Sequence, residues 1–227
     1  MCYTYFNIFS TIRFYKEVGG EMTRKQVALL ILISSLWGSS FIFMKVLSPV
    51  FGPILVSSLR LLGASLFLYI YMRLTKMKIS FKRNILFFMT IGIINSAIPF
   101  VMYSFAALNI DASLSGTLNS SSPMFGAIFG YLLLGSKLKP KQIIGLIVGF
   151  IGVLVVSSAS LESGSVDIVL SVIACILAAA CYGLAGTFVK RRTTVVDSSS
   201  LTLGSLFFAG IFFLPFSFFY DITSTIE

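Results

Sequence analysis

Long apolar runs alternate with short polar segments along most of the chain. Seven runs have about 20 residues each, the length that an α-helix needs to cross roughly 30 Å of hydrocarbon. The polar segments between them, such as 48–52 and 109–111, are short enough for tight turns between antiparallel helices. The pattern therefore predicts an all-α, polytopic transmembrane helix bundle with spans over 27–47, 53–71, 85–108, 112–134, 142–158, 166–189 and 199–219.

Composition supports the membrane class. Of the 227 residues, 57% are hydrophobic and only 11% are charged, whereas a soluble domain carries about 25% charged residues. A chain with so few charges cannot cover a soluble globule, and one so apolar is not disordered. We therefore expect the lipid bilayer to be the principal partner of this chain.

The charged residues orient the bundle. Lys and Arg lie before the first span and in the second, fourth and sixth loops. The first, third and fifth loops and the C-terminal tail carry neither, and of these the third, the fifth and the tail hold acidic residues. The positive-inside rule then predicts a cytoplasmic N-terminus in a bacterial-type inner (plasma) membrane. This topology explains the net charge of +9 better than nucleic-acid binding does, so no nucleic-acid partner is expected.

The chain lacks the residues that several kinds of chemistry require. The chain has no His, and its three Cys show no C-x-x-C spacing, so we expect no metal site, no cofactor and no disulfide framework. Seven of the eight acidic residues fall outside the predicted spans and Asp167 stands at the very start of the sixth, which leaves no carboxylate within the membrane for a proton relay. An enzyme is therefore not expected.

The first 21 residues do not fit a signal peptide, because no long apolar core precedes a small-residue cleavage site. The segment Gly19-Gly20-Glu21-Met22 can be encoded by a purine-rich run that resembles a ribosome-binding site before a start codon. We expect residues 1–21 to be an extension that is not native, with translation beginning at Met22.

One segment of the first span is repeated in the sixth. The stretch from Trp37 to Lys45 matches the stretch from Tyr182 to Lys190 at a constant offset of 145 residues, with an aromatic-Gly start, a Phe and a terminal Lys in common. Five spans separate the copies, so the second enters the membrane from the opposite side. Inverted repeats of this kind are typical of secondary transporters, although chance similarity between two apolar helices is the alternative.

These residues resemble the EamA-type drug/metabolite transporter superfamily from about Met22 to the end of the chain. The order and spacing of several short motifs carry the resemblance: Leu36-Trp37-Gly38-Ser39-Ser40-Phe41, Arg60 with Ala64, Ala107-Leu108-Asn109-Ile110, Pro123-Met124-Phe125, Leu132-Leu133-Leu134-Gly135, Gly145 and Gly152-Val153. The resemblance implies ten helices in two inverted five-helix repeats, and a transporter that moves small solutes across the inner membrane, often outward.

The chain departs from that pattern in two places. Ser136 stands where the family usually has an acidic residue after the Gly that ends the fourth helix. The seven spans also fall three short of ten, so we expect 22–160 to form one five-helix repeat and 161–227 a partial second repeat. A cavity lined by both halves would then need a missing C-terminal half or a second copy of the chain.

Arg60 is the first candidate functional residue, because it lies about seven residues into the second span. A charge at that depth costs at least about 2.5 kcal/mol unless it faces a cavity or a partner. It either contacts an anionic solute or a gate, or is a structural Arg that reaches the outer interface.

Polar and proline side chains at helical spacing form the other candidates. Either they line a solute path or they are helix-packing residues at proline kinks. Asn95, Pro99 and Tyr103 share one face of the third span, Asn119 and Pro123 share one of the fourth, and Trp37 is a candidate cavity wall on the first. We assign Trp37, Arg60, Asn95, Tyr103 and Asn119 to substrate binding, and Pro99 and Pro123 to helix breaks or gating.

The sequence thus predicts an efflux permease for small organic metabolites or drugs that works by alternating access. A non-transporting accessory or scaffold protein, dimerising through Gly126-x-x-x-Gly130 or Gly145-x-x-x-Gly149, is the alternative, together with an inactive fragment of a ten-helix transporter. For these Gly motifs, packing inside one protomer is favoured over a dimer interface.

Overall fold

A computed structural model describes residues 23–77, 79, 85–161, 165–192 and 197–219. The predicted N-terminal extension and part of the second, basic loop lie outside the described residues. The described part of the chain contains nine α-helices: α1 (Arg24–Phe51), α2 (Pro53–Leu74), α3 (Ile85–Gly92), α4 (Ile98–Asn109), α5 (Ala112–Asn119), α6 (Ser122–Leu134), α7 (Pro140–Leu161), α8 (Val166–Arg192) and α9 (Ser198–Phe213).

The predicted all-α membrane bundle is confirmed. Six stretches in the described ranges are long and apolar enough to cross a membrane: Arg24–Phe51, Pro53–Leu74, Ile85–Asn109, Pro140–Ser158, Val166–Arg191 and Ser198–Ser217. Each corresponds to a predicted span, and the last ends in the 3₁₀ turn Leu214–Phe219. The predicted fourth span is the exception.

That fourth span is two helices rather than one. α5 ends at Asn119 and α6 begins at Ser122, with Pro123 in the first turn of α6. Pro123 has no amide hydrogen and favours a helix start, while the amides of Met124 and Phe125 bond to the Ser121 carbonyl. The prediction of one continuous helix over 112–134 is therefore wrong.

The turn between α1 and α2 is shorter than the five residues predicted. α1 continues through Pro49 to Phe51, and Gly52 alone joins it to α2 with φ at 78°. That left-handed φ suits glycine, and Pro53 is pre-organised for the first position of the next helix. The two helices form a tight hairpin.

α3 and α4 form one span through the π-helical turn Ile93–Ala97. Pro99 has no amide to continue the regular ladder, and the amide of Ile98 bonds instead to the Ile93 carbonyl, five residues back. The wider turn shifts the helical register, so Asn95 no longer follows the face of Pro99 and Tyr103 as the uninterrupted spacing predicted.

α8 is the central helix of the bundle. It packs against α4 and α6, while α9 packs against α2 and α3. Of its membrane-spanning segment 44% is buried, compared with 11% for α1 and 6% for the Pro140–Ser158 segment of α7. The main core joins side chains of α1, α4, α5 and α8 around Phe41, Tyr103, Leu118 and Cys175.

The Gly motifs are used inside the chain. A Cβ placed on Gly183 of α8 would come within 2.5 Å of the Gly126 amide nitrogen of α6, so these two helices cross with their backbones nearly in contact. Gly149 of α7 lies against the side chain of Met124. Packing within one protomer therefore accounts for Gly126 and Gly149.

Candidate functional site

Four helices meet around a small pocket inside the bundle. Its cavity volume is about 10 Å³, roughly the space that one water molecule needs. α1 contributes four residues, α2 one, α4 two and α8 one, namely Trp37, Ser40, Phe41, Met44, Arg60, Phe100, Tyr103 and Tyr182. The pocket is thus largely aromatic, with one cationic side chain.

Arg60 projects from α2 into this pocket. Its Nη2 donates a hydrogen bond to Ser40 Oγ at 2.5 Å, and its guanidinium carbon lies 4.8 Å from the centre of the Phe100 ring. The ring and the hydroxyl hold the guanidinium plane across the space between α1 and α4 by a cation–π contact and a hydrogen bond. The Nη1 atom is buried and makes no hydrogen bond among the described residues.

The other wall is a cluster of aromatic rings. Tyr182 of α8 stacks on Tyr103 with ring centroids 6.2 Å apart, and it also contacts Trp37 at 6.3 Å. Phe41 meets Tyr103 edge to face at 5.2 Å. Offset and edge-to-face pairs at these distances are favourable ring contacts, so the cluster joins α1, α4 and α8 on one side of the pocket.

A hydrogen-bond chain leads from the pocket to the break between α5 and α6. The hydroxyl of Tyr103 donates to Asn119 Oδ1 at 2.9 Å and lies 3.4 Å from the Cys175 carbonyl oxygen. Asn119 is the last residue of α5, and its Oδ1 also lies 3.3 Å from Ser122 Oγ at the start of α6. Tyr103 therefore links the pocket wall to the helix break.

The structure separates the predicted site residues into two groups. Trp37, Arg60 and Tyr103 line the pocket, and Asn119 is one hydrogen bond away from it. Asn95 lies half-buried in the π-helical turn, Pro99 is buried at the start of α4, and Pro123 is exposed at the start of α6. The structure therefore brings Trp37, Arg60 and Tyr103 together and keeps Asn95, Pro99 and Pro123 off the pocket wall, and the solute path itself stays a prediction.

Ser40, Phe100 and Tyr182 were not among the predicted site residues. Ser40 could have been found from its spacing, since it follows Trp37 by three residues and so shares its helix face. Tyr182 follows Trp37 by the 145-residue offset of the repeated segment, and that correspondence could have found it. Phe100 could have been found as Ser40 could, since it precedes Tyr103 by three residues within α4 and so shares its helix face.

The pocket offers polar atoms that suit solute binding. Within the described ranges, no group of three or more His, Cys, Asp or Glu side chains is placed to hold a metal ion. The polar atoms of the lining are the guanidinium of Arg60, the indole N–H of Trp37 and the hydroxyls of Ser40, Tyr103 and Tyr182. Such a set can hold and orient a solute by charge, hydrogen bonds and ring contacts.

Comparison with known proteins identifies the family of the chain. The model of the EamA-like transporter family matches residues 25–158, which is more than half of the chain. The chain belongs to this family. As an EamA-family member with six membrane-compatible helices in the described ranges, it is a multi-pass membrane protein of a transporter family.

Curated relatives are similar over most of the chain. An uncharacterized transporter from the trpA 3′ region of Buchnera aphidicola subsp. Schlechtendalia chinensis is 26% identical over 86% of this chain and 66% of its own length. The uncharacterized transporter YoaV of Bacillus subtilis (strain 168) is 22% identical over 87% of this chain and 68% of its own. An uncharacterized transporter of Archaeoglobus fulgidus is 25% identical, covering 80% and 65% respectively.

This EamA-family chain spans about two thirds of the length of the curated relatives that it matches. No solved structure matches it significantly.

Proposed function

We propose that this EamA-family protein is an efflux permease that moves small organic metabolites or drugs across a bacterial-type inner membrane by alternating access. One observation carries the proposal: a guanidinium group sits among aromatic rings in a pocket between four membrane-compatible helices. A charge within a span is costly and is typically kept where a solute path needs it.

The position of the pocket favours alternating access. Its walls come from α1, α2 and α4 of the proposed first repeat and from α8 of the proposed second. Trp37 and Tyr182, which are equivalent at the offset of 145 residues, are in ring contact there. Solute sites in transporters with inverted repeats lie at the interface between the repeats, and rocking of one repeat against the other exposes the site to each side in turn.

The exposed surface of α1 supports a further partner for the complete transporter. α1 and α8 are counterparts in the repeat, yet 11% of the α1 span is buried against 44% of the α8 span. Helices equivalent to α4 and α6, which cover α8, would cover α1 in the same way. We propose that these covering helices come from a C-terminal half, for which the longer relatives have enough residues, or from a second copy of the chain.

Transport by proteoliposomes tests the function. Vesicles containing the purified chain are loaded with a bacterial metabolite extract, and solutes that appear outside are identified by mass spectrometry against empty vesicles. Arg60→Ala is expected to abolish the flux that the wild type shows, because it removes the only pocket charge. Lys45→Ala is the matched control, since Lys45 is a cation of α1 that does not line the pocket. Flux by Arg60→Ala at the wild-type rate would remove Arg60 from the mechanism.

Cysteine labelling tests the proposed orientation. With the N-terminus in the cytoplasm, Asp111 before α5 faces the outside and Lys137 after α6 faces the cytoplasm; both are exposed. A membrane-impermeant maleimide added to intact spheroplasts should label Asp111→Cys, and should label Lys137→Cys only after permeabilisation. The reverse pattern would invert the assigned topology, and equal labelling of both would mean that α5 and α6 do not cross together.

A further inference from the structure

The Arg60 pocket has a positive charge without a countercharge. Seven of the eight acidic residues lie outside the predicted spans and Asp167 is the second residue of the sixth, and among the described residues none forms an ion pair with Arg60. Ser40 and the Phe100 ring are its polar and aromatic neighbours, and both are neutral. The guanidinium thus keeps its full charge in a setting where water screens it poorly.

One edge of the guanidinium has no hydrogen-bond partner. Nη2 is engaged by Ser40, whereas Nη1 is buried without a hydrogen bond among the described residues. A buried donor without a partner is costly, and more so when it is charged. An anionic oxygen placed at Nη1 would satisfy the donor and neutralise the charge at once, and guanidinium groups bind carboxylate and phosphate oxygens particularly well.

The opposite wall favours a flat, unsaturated body. Trp37, Tyr103 and Tyr182 present ring faces and edges to the pocket, and aromatic walls pack best against another planar ring. A cationic ligand would also find ring faces there. It would, however, lie beside Arg60 with no carboxylate to offset the repulsion, and like charges in a poorly screened site oppose each other strongly.

From these contacts we infer that the solute bound at Arg60 is a small organic anion with an aromatic body, its carboxylate or phosphate on Nη1 and its ring among Trp37, Tyr103 and Tyr182. Cationic amphiphiles are excluded. The inference rests on the proposed function for the movement of the solute, but the binding preference is tested without transport. Because the cavity holds about 10 Å³, the ring enters only after the helices that bear its walls separate.

The chain carries its own reporter for this binding. Trp37 is the single tryptophan of the sequence, and it lines the pocket. The full chain is placed in nanodiscs of zwitterionic phosphatidylcholine, so that the lipid surface attracts neither sign of charge. Trp37 fluorescence is then titrated with 3-phenylpropionate and with 3-phenylpropylamine, which share a ring and a chain length but differ in charge.

We expect 3-phenylpropionate to bind at least about tenfold more tightly than 3-phenylpropylamine, the effect of one charge-assisted hydrogen bond and the removal of like-charge repulsion. Arg60→Gln should abolish that preference. Arg60→Lys keeps the charge but not the planar fork, so the preference should keep its direction with weaker anion binding. Lys45→Gln, the control, should bind both probes as the wild type does.

Three results would overturn the inference. The first is equal or tighter binding of the amine, and the second is no change in Trp37 fluorescence with either probe at millimolar concentration. The third is retention of the anion preference by a folded Arg60→Gln. If Arg60→Gln does not fold, the comparison of the two probes on the wild type decides alone. Selective anion binding without flux would refute the transport proposal and leave the inference standing. Flux that does not depend on the charge of the solute would refute the inference and leave the transport proposal standing.

Discussion

The close crossing of α6 and α8 makes a sharp test of the fold. A Cβ on Gly183 of α8 would lie 2.5 Å from the Gly126 nitrogen and 2.6 Å from the Phe125 carbonyl carbon. Both are backbone atoms, which cannot rotate away as a flexible side chain can. Gly183→Ala therefore forces α6 and α8 apart, whereas Gly186→Ala, three residues along the same helix, meets nothing within 4 Å.

The size of the effect follows from that geometry. An ordinary contact begins at 3.4 Å, so the α6 backbone must retreat by about 0.9 Å from the 2.5 Å position. Overpacking of this kind costs about 1–3 kcal/mol. Alanine gains up to about 1 kcal/mol of helix propensity over glycine at either site, and this gain cancels in the comparison. The free energy of unfolding of Gly183→Ala should therefore lie about 1–3 kcal/mol below that of Gly186→Ala.

The measurement is equilibrium unfolding in mixed micelles by sodium dodecyl sulfate, followed by circular dichroism. Gly38→Ala is a second control, because Gly38 is the counterpart of Gly183 in the repeated segment and meets nothing within 4 Å. Its free energy of unfolding should equal that of wild type or exceed it by up to about 1 kcal/mol, because alanine has the higher helix propensity. Equal unfolding free energies for Gly183→Ala and Gly186→Ala would show that α6 and α8 do not cross at Gly126.

Two further predictions use the same unfolding assay. Tyr103→Phe removes the hydroxyl that donates to Asn119 and should lower the free energy of unfolding by about 0.5–1.5 kcal/mol, the net value of a hydrogen bond. Tyr131→Phe, at a 55% exposed position, should leave that free energy unchanged. An equal loss in both variants would contradict the assigned bond. Leu118→Ala empties a fully buried position and should cost at least about 2 kcal/mol, whereas Leu132→Ala, 64% exposed on the lipid side, should be near neutral. A harmless Leu118→Ala would place that side chain outside the core.

The positions of the spans could be predicted because crossing a membrane requires length and hydrophobicity, and both are read directly from the sequence. The exceptions are local breaks. At Pro99 and Pro123 the missing amide forces a change of hydrogen bonding, but sequence alone does not say whether the helix responds with a wider turn or a new start. The helix before Pro99 widened to a π-helical turn at 93–97, whereas the helix before Pro123 ended and a new one began after 120–121.

The candidate site was predictable only in part, for the same reason. Arg60 stands out because its charge is unusual within a span, and Trp37 because it is the single tryptophan. The grouping of Asn95 with Tyr103 assumed a regular helix, which the π-helical turn invalidates. Contacts between helices distant in the chain, such as Tyr103 with Tyr182, depend on packing that no single segment encodes.

The helix break between α5 and α6 has a consequence for membrane insertion. Three consecutive serines each donate a hydroxyl to the carbonyl three residues back, from Ser120 to Thr117, from Ser121 to Leu118 and from Ser122 to Asn119. An unsatisfied carbonyl in hydrocarbon costs several kcal/mol. The carbonyls of Thr117 and Leu118 also accept the amides of Ser120 and Ser121, so the segment satisfies these groups by bonds within a single turn of its own chain. Residues 112–134 can therefore enter the bilayer already bent, before any neighbouring helix is in place.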